Sequence, residues 1–133
     1  MYEIVVGRNE SDRKALGLQG AVFLGKHYVK MGAATSLSNK IYLDVAKTHV
    51  VLVSGKRGSG KSYSLGVIAE EMAHLPSEVK NKIAVLMIDT MGIFWTMRFP
   101  NVKEEDLLDE WNLPKKSLDI EIYTPAGYFE EYK

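Results

Sequence analysis

Cysteine is absent from this chain, which removes disulfides, thiolate zinc sites and cysteine nucleophiles together. An excess of either charge is lacking too: seventeen Lys and Arg stand against seventeen Asp and Glu, a formal net charge of zero. A nucleic-acid surface usually shows as a basic excess, so the overall balance argues against one and leaves only a local patch. Long apolar runs are missing as well. The longest, Val50–Val53 and Ile83–Ile88, fall far short of the about 20 residues that a membrane-spanning helix needs. The start, Met1-Tyr-Glu-Ile-Val-Val-Gly7-Arg8, has no basic segment leading into an apolar stretch and does not read as a signal peptide. These absences leave a cytoplasmic location as the expectation.

What is present suits a globular chain: 133 residues, 46% of them hydrophobic and 26% charged, enough for one small domain or part of a larger one. Two textures divide it. Residues 1–47 hold short apolar runs, Ile4–Val6, Ala21–Leu24 and Ile41–Leu43, separated by Gly7, Gly17, Gly20, Gly25 and Gly32. Short strands with glycine turns predict a small antiparallel β unit, a partial barrel, without a convincing helix.

Residues 48–133 read as α/β. His49-Val-Val-Leu-Val-Ser54 is β-branched and continuously apolar, the pattern of a strand buried on both faces of a parallel sheet. Leu65, Ile68, Ala69, Met72 and Leu75 recur at helical spacing and predict a helix from about Lys61 to His74, stopped by Pro76. Ile83–Ile88 predicts a second buried strand ending in Asp89, closing a right-handed βαβ unit. A short helix over Glu104–Trp111 and a third strand through Leu118, Ile120 and Ile122 follow. A doubly wound sheet of this kind runs to about five strands or more, so the chain reads as the front part of something larger.

Between the first predicted strand and helix lies Gly55-Lys56-Arg57-Gly58-Ser59-Gly60-Lys61-Ser62, which meets the phosphate-loop pattern G-x-x-x-x-G-K-[ST]. Each position has a physical task. Glycines allow positive φ and let the backbone wrap an anion. The N–H groups of Gly58, Ser59, Gly60 and Lys61 can converge as a nest, reinforced by the helix start. Lys61 supplies a full charge to the β- and γ-phosphates, and Ser62 a hydroxyl to Mg²⁺. The expected ligands are therefore ATP and magnesium. A dinucleotide loop is the nearest confusion, but Gly58-Ser59-Gly60 would need its third glycine at Tyr63. A guanine-specifying Asn-Lys-x-Asp is absent.

Asp89, at the carboxyl end of its predicted strand, stands where α/β sheets bind ligands. It is a candidate catalytic residue beside Lys61, with a turn or cap role as the alternative. Other features read more plainly. His27, His49 and His74 are too scattered for a metal site and read as surface or packing residues. Phe94, Trp95 and Phe99 read as core packing beneath a loop. Glu104-Glu105-Asp106 reads as acidic residues matched to a helix dipole.

Asp44-Val-Ala-Lys-Thr-His49-Val-Val-Leu-Val-Ser-Gly55-Lys-Arg-Gly-Ser-Gly60-Lys-Ser62, followed by Met87-Ile-Asp89-Thr-Met-Gly92, resembles the HerA-like ATPases of archaea and bacteria, in the HerA/FtsK group of P-loop motors. The resemblance implies an N-terminal β-barrel over residues 1–45 and a Walker A loop in which Lys61 and Ser62 hold nucleotide and magnesium. It also implies hexameric rings that translocate double-stranded DNA. Two departures are expected to matter. Ile93 stands where the family has a glutamate implicated in hydrolysis, and the family's Walker B strand, sensor and arginine finger fall beyond Lys133. The leading expectation is the N-terminal part of an ATP-driven DNA translocase or helicase. The alternatives are a nucleotide-binding module without turnover, in a regulatory or assembly role, and a barrel used for oligomerisation.

Overall fold

The computed structural model describes residues 2–131. They form two compact units, Met1–Leu86 and Met87–Lys133.

The first unit is built on an open three-stranded sheet of β1 (Ile4–Val6), β2 (Ala21–Met31) and β3 (Ala34–Asp44), in the order β1-β3-β2. β2 and β3 are an antiparallel hairpin, whereas β1 runs parallel to β3 in the register Ile4 to Ile41 and Val6 to Leu43. Gly32 opens the two-residue hairpin turn with φ +62°, the left-handed geometry that matches strand twist. The expected partial barrel is thus corrected to an open mixed sheet. β1 ends beside Leu43 and β2 begins beside Asp44, so their connection stays at one end of the sheet; it contains α1 (Glu10–Leu16), a helix that residues 1–47 were not expected to contain. It is short and buries nothing, so it leaves no apolar period to read. Its signal is the cap instead: Asn9 accepts the Asp12 backbone N–H at 2.8 Å.

α2 (Lys61–Ala73) forms where the spacing places it, and Pro76 caps the one-turn α3 (Ser77–Lys80) directly after it. α2 packs on β2, burying Ala69. Glu71 accepts the Phe23 backbone N–H at 3.3 Å. Glu70, on the same stretch of helix, has its carboxyl pushed up, mainly by burial. The core of this unit lies under Val22 and Leu43 of the sheet.

The predicted buried strands are the largest correction. Residues 48–54 and 83–88 join no β-ladder among the described residues. Val50 is 100% exposed, Leu52 87%, Leu86 85% and Ile88 86%. A β-branched run states a preference for extended backbone, but a strand needs a neighbour whose N–H and C=O groups face its own. Neither segment has one here.

In the second unit, α4 (Glu105–Trp111) appears as expected, with Glu105 and Asp106 in its first turn. The third predicted strand does not: residues 118–122 carry no ladder, although Leu118 is buried and its N–H reaches the Met97 carbonyl at 2.9 Å. Phe94–Arg98 is a 3₁₀ turn. Trp95 and Phe99 meet edge to face at 6.0 Å, yet both remain exposed, so they do not form the core expected of them.

Candidate functional site

The glycine-rich loop runs from Gly55 to the start of α2. Gly58 and Gly60 take φ of +80° and +86°, values that a side chain would strain. Gly60 is the N-cap of α2 and has no side chain to close the helix end. Ser59 N–H closes a tight turn on the Lys56 carbonyl at 3.2 Å, and Ser64 N–H begins the helical ladder on the Gly60 carbonyl at 2.9 Å. Gly55 is needed for space rather than conformation, because a Cβ there would collide with the Ser59 side chain.

The donors left over define the chemistry. The N–H groups of Gly58, Gly60, Lys61 and Ser62 donate to no acceptor among the described residues. They sit at the positive end of a thirteen-residue helix. Lys61 folds back so that its Nζ donates to the Lys56 carbonyl at 2.9 Å, which keeps the ammonium over the loop. No Cβ at Gly58 or Gly60 would meet an atom within 4 Å, so the loop is open above both. Unpaired amides, an ammonium and the Ser62 hydroxyl make a donor set fitted to an oxyanion, and the hydroxyl oxygen is also a ligand for a hard cation. Lys56 and Arg57 are exposed.

The chain belongs to the HerA helicase central-domain family. The family model, described as the central domain of helicase HerA, matches residues 24–126, and so covers the glycine loop and the Asp89 segment alike. No curated protein and no solved structure matches the chain.

Asp89 in this HerA-family chain is fully committed to its own loop. One carboxylate oxygen accepts the N–H groups of Met91 and Gly92 at 3.0 and 2.9 Å, and the other those of Ile93 and Phe94 at 2.6 and 2.8 Å. Partial burial works to raise this carboxyl, but the backbone donors outweigh it and hold it below the ordinary carboxylate range. The arrangement is a side chain capping the 3₁₀ turn that follows, the turn role set against catalysis from the sequence. Replacing Asp89 with alanine is expected to destabilise this turn by about 1–2 kcal/mol, the scale of a lost N-cap. Asparagine, with one acceptor oxygen, should restore about half. Because the folded carboxyl titrates below its unfolded value, its contribution is complete above about pH 4 and is lost as pH falls further. Amide exchange at Met91–Phe94 measures both effects; unchanged protection in the alanine variant would show that the turn holds without the carboxylate.

A second polar cluster, which the sequence did not flag, lies at the root of the segment leading to the loop. Arg8 and Asp44 are an ion pair with side chains 0% and 1% exposed. Arg8 Nε reaches Asp44 Oδ1 at 3.2 Å, while its terminal nitrogens donate to Asp44 and to the carbonyls of Gly17 (2.7 Å) and Gln19 (2.9 Å). The other Asp44 oxygen meets His49 Nε2 at 2.9 Å. Burial would raise the Asp44 carboxyl, but the bonds from His49, Arg8 and the Ala46 N–H hold it below the usual range. Of the three histidines, His49 alone was tied to the loop by the resemblance, and its partner lies five residues earlier. No sequence period marks an Arg and an Asp separated by 36 residues.

No helix among the described residues is long and apolar enough to cross a membrane, and none of their His, Asp and Glu side chains cluster as a metal site.

Proposed function

We propose that Gly55–Ser62 binds the phosphates of ATP with magnesium, and that this HerA-family chain is the N-terminal part of a DNA-translocating ATPase. The observation that carries the reading is the loop itself: left-handed Gly58 and Gly60, with unpaired amides gathered at the N-terminus of α2. The family match supports it independently. Residues 1–47 serve in this reading as a β-rich platform, and residues 48–133 as the nucleotide-binding part.

The roles follow from chemistry. The free amides of Gly58, Gly60 and Lys61 bind phosphate oxygens, and that of Ser59 joins them on leaving the Lys56 carbonyl. The Lys61 ammonium leaves the same carbonyl for the β- and γ-phosphates, and Lys56 and Arg57 add positive potential. Ser62 would hold Mg²⁺, which supplies charge neutralisation across the phosphates. Hydrolysis asks for more, a carboxylate to position water and a cation at the transition state. Asp89 has both oxygens on backbone N–H groups and Ile93 stands at the family's glutamate position, so Gly55–Ser62 are read as binding residues and turnover is assigned to none of the residues named. Double-stranded DNA and a ring of copies are the partners this family reading entails.

The metal arm gives the test. A fluorescent ATP analogue should bind in Mg²⁺ with an affinity that Ser62→Ala lowers by about tenfold, the worth of one charge-assisted contact. In EDTA the two proteins should bind alike. A defect equal in both media would make Ser62 a helix-start residue without a metal role.

A further inference from the structure

The 50–54 segment that delivers the loop has no backbone hydrogen bond of its own among the described residues. A chain segment without a ladder is placed only by what holds its ends. At its far end α2 is anchored on β2. At its near end the backbone from Asp44 to His49 is pinned at almost every residue. Val45 N–H donates to the Gly20 carbonyl at 2.9 Å. Ala46 N–H donates to Asp44 Oδ1 at 3.2 Å, and Ala46 packs so closely on Gly20 that a Cβ there would lie 2.8 Å from the Ala46 Cβ. Lys47 Nζ pairs with Asp12 at 2.5 Å. His49 bonds Asp44, and its ring lies on the backbone of Gly7, where a Cβ would stand 3.0 Å from Cε1.

We propose that Arg8, Asp44 and His49 are positioning residues: a joint, buried at Arg8 and Asp44 and partly exposed at His49, that aims the 50–54 segment and so sets the affinity of the glycine loop for nucleotide. The inference rests on the phosphate-binding reading of Gly55–Ser62. Its physics is that of a tether held at both ends. Residues 49 to 55 reach about 20 Å when extended, and with no ladder along the way the spread of loop positions depends on how firmly each end is held, so freeing His49 widens it. Nests and oxyanion sites tolerate little such error. Arg8 and Asp44 are well buried and would hold the sheet together by themselves. His49 is the member that continues directly into the delivering segment, through a single bond to Asp44.

The absence of cysteine permits a direct measurement. Ser54 and Lys30, both exposed, are replaced by cysteine and spin-labelled, and the distance distribution is read by electron paramagnetic resonance. His49→Ala keeps the Arg8–Asp44 pair, so the sheet should survive, as circular dichroism checks. It should at least double the width of the distribution and weaken binding of the ATP analogue by about tenfold. His49→Gln, whose amide can still donate to Asp44, should restore both. An unchanged width in His49→Ala overturns the joint, and so does a widened distribution with unchanged affinity. Failure of the unmutated protein to bind nucleotide would instead fall on the phosphate reading, while the label distances still judge whether His49 holds the segment.

Discussion

Arg8→Ala is expected to destabilise the Met1–Leu86 unit by about 3–5 kcal/mol, the scale for removing one partner of a buried ion pair. The guanidinium is 0% exposed and Asp44 1%, so water cannot replace the lost charge. The truncation leaves the buried Asp44 carboxylate with only His49 and the Ala46 N–H, and the carbonyls of Gly17 and Gln19 without their donor. Such a loss is comparable with the whole stability of a small unit, so the variant is best measured in a stabilising osmolyte. Urea denaturation followed by circular dichroism gives the value. Arg8→Met with Asp44→Leu removes both charges at once and should be less destabilised than the sum of its single changes by at least about 1 kcal/mol. Additive costs would mean that the pair is not coupled.

The same pair fixes an acid response. Asp44 titrates below its ordinary value when folded. Its contribution is therefore complete above the unfolded carboxyl value of about 4 and disappears as pH falls through the folded one. In Arg8→Ala that acid limb should shrink, because one of the groups that hold the carboxyl down has gone.

Lys61→Ala should lower affinity for the ATP analogue by about tenfold to a hundredfold, which is 1.5–3 kcal/mol for hydrogen bonds to a charged group. The fold should not notice. Lys61 is the first residue of α2, its Nζ holds only the Lys56 carbonyl among the described residues, and alanine is the best helix former. Circular dichroism of the two proteins should coincide while their titrations separate. Equal affinities would remove the phosphate assignment from this loop. This loss is distinct from that of His49→Ala, since Lys61→Ala should leave the position of Ser54 untouched.

What could be read in advance was what neighbouring residues decide among themselves. The glycine loop, α2 with its stop at Pro76, and α4 with its acidic first turn all follow from local rules of spacing, capping and positive φ. They appear within a residue or two of the expected bounds. The phosphate-loop pattern and the family resemblance were likewise properties of the chain as written, and the family match bears out the resemblance.

The tertiary structure decided everything that needs a distant partner. The strands expected over His49–Ser54 and Ile83–Ile88 did not form, since a ladder belongs to two segments and neither finds a second among the described residues. The sheet is mixed and open rather than antiparallel because β1 pairs with β3, the far strand of the hairpin, and not with β2, the strand that follows it in sequence. The preference for helix in a two-turn segment that buries nothing left no periodic trace. Asp89 could be placed at a segment end by sequence, yet only the backbone path of Met91–Phe94 shows its two oxygens taken by N–H groups. Arg8, Asp44 and His49 are the clearest case. Each is an ordinary polar residue in the sequence, and the chemistry of the joint exists only because folding buries Arg8 and Asp44 against each other and brings His49 onto the second Asp44 oxygen.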